Sequence, residues 1–105
     1  MLKAPDVGII GERLTATWLG ANGWHCYRNT QQPGATDIQG TKGQESIRVQ
    51  VKTAVYPNSP ASLSADEKKA IVARATQNKQ QAWLAQLQID SEGRLLGKIG
   101  WTKLA

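Results

Sequence analysis

The clearest periodicity in the chain lies between Ser46 and Thr53, where Ile47, Val49 and Val51 alternate with Arg48, Gln50 and Lys52. A period of two sends the first set to one face of a strand and the second set to the other. The series Trp83, Ala85, Leu87 and Ile89 alternates in the same way and predicts a strand over 82–89. The turn residues Asp90, Ser91, Glu92 and Gly93 then predict a return strand over 95–101. A helical period governs residues 9–21, with two apolar stripes: Ile10, Leu14, Trp18 and Ala21, and Ile9, Ala16 and Leu19. Asp6 is the expected N-cap and Asn22-Gly23 the stop. Being apolar over much of its circumference, this helix is expected to be well buried. Short strands are expected over 24–28 and 36–39, with a loop at Gln31, Gln32, Pro33 and Gly34 between them. Residues 41–44 turn the second short strand into the alternating one. Ser64-Ala65-Asp66-Glu67 has the S-x-x-E form of a capping box and opens a helix over 65–77, with Ile71, Val72 and Ala75 toward the core. The order helix, three strands, helix, two strands predicts the α/β class in its α+β form, a mixed central sheet flanked by helices.

Composition narrows this picture without redirecting it. With 105 residues, 40% of them hydrophobic, the chain is read as a single domain over 1–105 with one core. There is no Phe, so Trp18, Trp24, Trp83 and Trp101 supply the large apolar bodies. A lone cysteine, Cys26, makes no intramolecular disulfide, and no Cys/His cluster has zinc spacing. The opening MLKAPDVGIIGE contains no long apolar run, so no membrane partner and a cytoplasmic location are expected. Thirteen Lys and Arg against eight Asp and Glu give a net charge of +5, which favours an anionic partner, nucleic acid being the commonest.

Candidate chemistry gathers around the alternating strand. Gln50 and Lys52 share a face because they are two apart. If the strand holding Asp37 pairs with this one through the 41–44 turn, a carboxylate, an amide oxygen and an ammonium converge. A hard cation such as Mg²⁺, or Mn²⁺ in its place, takes oxygen ligands and usually one or two carboxylates, leaving room for water and phosphate oxygens. Asp37 suits such a site, and the Gln50 side-chain oxygen and Val51 backbone carbonyl complete it. Lys52 would orient or deprotonate an attacking water, or offset charge on the phosphate. The layout is coherent for metal-assisted phosphodiester hydrolysis.

Gly-Ala-Thr-Asp37-Ile, followed by a strand ending Gln50-Val-Lys52-Thr and preceded by a helix carrying Gly11-Glu12, resembles the PD-(D/E)XK nuclease superfamily, in particular its small Holliday-junction-resolvase-like members. The resemblance runs from Gly8 to about Ile89 and rests on short motifs in a fixed order. It implies a restriction-endonuclease-like αβββαβ core, a metal-dependent endodeoxyribonuclease and a homodimer that cuts two strands of DNA. Carried over, Asp37 is the main metal ligand, Gln50 stands at the second acidic position, Lys52 is the catalytic lysine and Glu12 is the first-helix glutamate near the metal. Pro33 precedes Asp37 at a longer interval than the motif name implies. Gln50 is the departure, since an amide brings an oxygen but no charge; Glu12 is the expected compensation.

Lys68, Lys69, Arg74 and Lys79 on or just after the second helix, with Arg28, Lys42 and Arg48 near the active strands, are candidate contacts to the phosphate backbone. Each residue alone has a plainer reading: Asp37 as a turn residue, Lys52 as a solvated strand position, the basic residues as a solvated helix face. Gln50 also motivates an alternative to the enzyme, a DNA-binding module that keeps the nuclease fold without its catalysis. A third reading is an interaction domain without nucleic acid.

Overall fold

The structure is a computed structural model that describes residues 3–28 and 37–105; the side chains of Ala4, Pro5, Arg28 and Asp37 lie outside that description. The elements are α1 (Ala4–Ala21), β1 (His25–Arg28), β2 (Asp37–Lys42), β3 (Glu45–Val55), α2 (Ala65–Gln77), β4 (Gln81–Ile89) and β5 (Leu95–Lys103). The expected order is therefore met. The turn expected at residues 31–34 lies outside the described residues.

The strands lie in the sheet in chain order, β1-β2-β3-β4-β5. All neighbours are antiparallel except β3 and β4, which run parallel. A parallel pair needs a long crossover, and α2 provides it. The β2–β3 hairpin turns at Gly43, whose φ of 61° is a conformation that costs glycine little. Helix α2 begins as its sequence predicts. The Ser64 hydroxyl accepts from the Glu67 backbone N–H while the Glu67 carboxylate accepts from the Ser64 N–H, each at 3.1 Å.

The two helices cover opposite faces. On the α1 face, Leu19, Ile38, Ile47, Val49, Val51, Ala85, Leu87 and Ile99 form the main core. Fully burying one such aliphatic side chain contributes about 1.5–3 kcal/mol. On the α2 face a smaller cluster joins Ile71 and Ala75 to Ala82, with Val72 packed beside it. None of the helices among the described residues is long and apolar enough to cross a membrane.

Helix α1 differs from expectation in two ways. It starts earlier, with Lys3 as N-cap and a proline in its first turn, which leaves Asp6 inside that turn. Proline suits this position because its missing N–H has no helical partner there, and Asp6 complements the helix dipole. The helix is also rotated about its axis. Its buried line is Gly11, Glu12, Thr15 and Leu19, whereas Ile9 and Trp18 are 38% and 43% exposed. The cause is close approach: a Cβ on Gly11 would lie 1.7 Å from Thr53 Oγ1 on β3. At this point the helix meets β3 through its backbone, with no side chain between.

Further along α1, Trp18 stacks at a tilt on Trp101, ring centroids 5.1 Å apart, and Trp83 meets Trp101 edge-on at 6.3 Å. With Trp24, Leu19 and Ile47 they line a shallow groove of about 310 Å³.

Candidate active site

The antiparallel register of β2 and β3 sets Asp37 directly opposite Gln50. Opposed positions in such a pair share a face, and Lys52 shares it with Gln50 two residues on. The backbone thus brings the Asp37, Gln50 and Lys52 positions together on the α2 face. Asp37 is the first residue of β2, while β3 runs on to Val55. The Val51 side chain points to the opposite face, into the main core, so only its backbone carbonyl is available to the site.

Lys52 is not a freely solvated strand residue. Its Nζ lies 2.6 Å from Glu67 Oε2, with the two side chains 24% and 42% exposed. Glu67 divides its carboxylate: Oε1 takes the Ser64 N–H and Oε2 takes the Lys52 ammonium. The hydrogen bond from Lys52, then that from the Ser64 backbone, holds the Glu67 carboxyl below the usual carboxylate range. Sequence reasoning gave Glu67 a capping role alone. The S-x-x-E signal placed it in the first turn of α2, but the strand beneath that turn depends on the crossover path, which no local pattern encodes.

Glu12 approaches from the other layer. It sits on the buried line of α1 at 8% exposure, a position a carboxylate tolerates only in the company of a donor or a cation. Its neighbour Gly11 abuts Thr53, the residue after Lys52.

The basic residues separate into two groups. Lys68, Lys69, Arg74 and Lys79 are exposed on or just past α2, the helix that covers the site face. Lys42 is exposed but engaged, donating to the Asn22 carbonyl at 2.9 Å and lying 5.9 Å from the Trp24 ring centroid. Arg48 departs from its expected role as a phosphate contact. It is 5% exposed, and its Nε donates to Gln80 Oε1 at 3.0 Å. Gln80 Nε2 in turn donates to Gln39 Oε1 at 3.0 Å. The guanidinium is part of a buried polar chain because α2 and the segment after it cover this end of β3. Arg28 ends β1, and its side chain lies outside the described residues.

No group of three His, Cys, Asp or Glu side chains among the described residues is placed to hold a metal ion. The donors that the register collects are a carboxylate position, an amide oxygen and a backbone carbonyl. All are hard oxygens, the chemistry that Mg²⁺ selects, and one carboxylate with neutral partners lies within its usual range.

A mixed sheet with one helix on each face, a β-hairpin carrying Asp37 and Gln50, and a crossover helix leading to a parallel strand make the αβββαβ core that the short motifs imply. In particular, the structure is similar to that of Hjc, a Holliday junction resolvase from the archaeal hyperthermophile Archaeoglobus fulgidus, with a TM-score of 0.68 over 92% of this chain and 72% of that one. The two sequences are 22% identical, so the likeness establishes the fold. The fold implied by the short motifs is thereby borne out. Neither a protein-family model nor a curated protein matches the chain.

Proposed function

We propose that this chain is a metal-dependent endodeoxyribonuclease that acts on branched DNA as a homodimer. The observation that carries the reading is the register of Asp37 against Gln50 with Lys52 two residues on, set in the fold that Hjc also has. Asp37, the Gln50 side-chain oxygen and the Val51 carbonyl would hold Mg²⁺ or Mn²⁺, with Glu12 adding charge from the α1 side. Bound there, the ion would make water a nucleophile near neutral pH and polarise the phosphate. The chain's own part is positional and electrostatic. Lys52, two residues from Gln50 on the same face, would orient the attacking water and offset charge on the phosphate. The exposed Lys68, Lys69, Arg74 and Lys79, on or just past α2, would take the phosphate backbone without reading bases.

The test is cleavage of four-way junctions and linear duplexes with and without Mg²⁺. Wild type cuts junctions only with metal, and Asp37→Ala and Lys52→Ala do not; equal cutting by all three sinks the mechanism. Gln50 supports a second reading, a junction-binding module without catalysis. That reading predicts salt-sensitive junction binding without metal-dependent cleavage, and a gain of cleavage in Gln50→Glu.

A further inference from the structure

Under the nuclease reading above, Lys52 has the most exacting task and the loosest side chain. A lysine ammonium rides on a flexible four-carbon stem. To offset charge on a phosphate it must stay within hydrogen-bond reach of one oxygen. The sheet does little to hold it. The register of β2 against β3 begins with Asp37 opposite Gln50, so no described β2 position stands opposite Lys52. On the other side lies Gln86 of β4, whose amide donates to the Ala61 carbonyl at 2.9 Å. The contact that reaches the ammonium comes from a helix, through Glu67 on the first turn of α2.

We propose that Glu67 is the positioning residue of the site, fixing the Lys52 ammonium over the face it shares with Gln50. The two oxygens of its carboxylate have different partners. Oε1 accepts from the Ser64 N–H at 3.1 Å, as N3 of an intact capping box. Oε2 accepts from Lys52 Nζ at 2.6 Å. One carboxylate therefore ties the helix start to β3 at a single point, and the ammonium takes its place from the most constrained turn of α2. An ammonium carries three donors, so a bond to Glu67 leaves it capacity for a water or a phosphate oxygen. The Lys52 side chain is 24% exposed, held without being sealed off. Folding alone is a weak reason for the contact, because partly exposed ion pairs add little to stability and the capping box needs only Oε1.

Glutamine also serves at N3 of a capping box, so Glu67→Gln keeps the helix start. It offers one acceptor oxygen, however, and cannot serve the Ser64 N–H and the Lys52 ammonium together. Cleavage of four-way junctions with Mg²⁺ is measured as kcat and KM for wild type, Glu67→Gln, Lys52→Ala and the double variant. Urea midpoints, and ¹³C relaxation at Lys52 Cε in wild type and Glu67→Gln, are recorded without DNA. Glu67→Gln is expected to stay close to the wild-type midpoint and KM, to show a more mobile Lys52 stem, and to lose kcat by ~10²-fold, the cost of about 1 Å of misplacement. Added to Lys52→Ala it is expected to cost nothing more, because the group it positions is gone. An unchanged kcat or an equally ordered Lys52 in Glu67→Gln overturns the positioning role, while cleavage by wild type leaves the nuclease reading standing. An undiminished loss in the Lys52→Ala background also overturns it, since Glu67 then acts by another route. A midpoint that falls in step with activity makes the contact structural and overturns it as well. Absence of Mg²⁺-dependent cleavage by wild type overturns the nuclease reading and this role with it.

Discussion

The two faces of the sheet are built from the same strands and do opposite work. On β3, Ile47, Val49 and Val51 enter the main core, while Arg48, Gln50 and Lys52 face α2. The first face meets α1 through apolar packing and the close contact at Gly11. The second combines the small apolar cluster around Ile71 with a run of polar side chains. Gln86 donates to the Ala61 carbonyl, Gln88 to the Asn58 carbonyl, and Gln39, Gln80 and Arg48 bond to one another. The consequence of a substitution on β3 thus depends on whether its position is odd or even. Stability is concentrated on one side of a single strand, and candidate chemistry on the other.

The sharpest way to break this comparison is a charge on the apolar side. Val49 is fully buried, and Val49→Asp is expected to cost more than about 4 kcal/mol, enough to unfold the chain in urea titrations. Tolerance of that change would end the division of labour. Next in size, Lys52→Ala is expected to lower junction cleavage by ~10²–10³-fold while moving stability by no more than ~1 kcal/mol. Activity and urea midpoint measured on one preparation separate the two, and parallel losses would make Lys52 structural. A smaller effect is expected from Gly11→Ala, about 1–3 kcal/mol from overpacking against Thr53. In a Thr53→Ala background that penalty should shrink, because the atom that a Cβ would meet first is gone.

The smallest effect lies in the acid limb of stability. Glu67 is held low by Lys52 and then by Ser64, and Asp90 by backbone N–H groups, that of Arg94 first. A folded pKa below the unfolded one means that the unfolded chain binds more protons in this range. The contribution is therefore complete above the ordinary carboxylate range and is lost as pH falls through the folded values. Urea midpoints followed downward from neutral pH should decline less steeply in Glu67→Gln with Asp90→Asn than in wild type. An unchanged slope would show that the two carboxylates contribute no such linkage.

Much of this was legible in the residues. The alternation of 46–53 marked β3 and both of its faces, whereas the turn expected over 41–44 is only Gly43-Gln44 between Lys42 and Glu45, and this shorter hairpin is what sets Asp37 opposite Gln50, because hairpin length fixes register. The box at Ser64 gave the start of α2. Three features were hidden, each for a physical reason. The rotation of α1 was missed because hydrophobicity favoured Ile9 and Trp18, whereas the contact is decided by how near a backbone can come, and that favours Gly11. Arg48 was assigned to the correct face, but alternation does not reveal whether a face is covered. Glu67 was seen as a cap, but its partner lies on a strand whose position under α2 is a property of the whole crossover.

The tryptophan cluster gives the molecule its own optical reporter. Trp18 on α1, Trp83 on β4 and Trp101 on β5 are in ring contact, Trp101 touching both of the others. Indoles this close couple electronically, so near-ultraviolet circular dichroism and emission wavelength will follow the docking of the first helix onto the sheet. The same signals will be nearly silent to events around Asp37 and Lys52, which lets one spectrum record folding while a separate assay records chemistry.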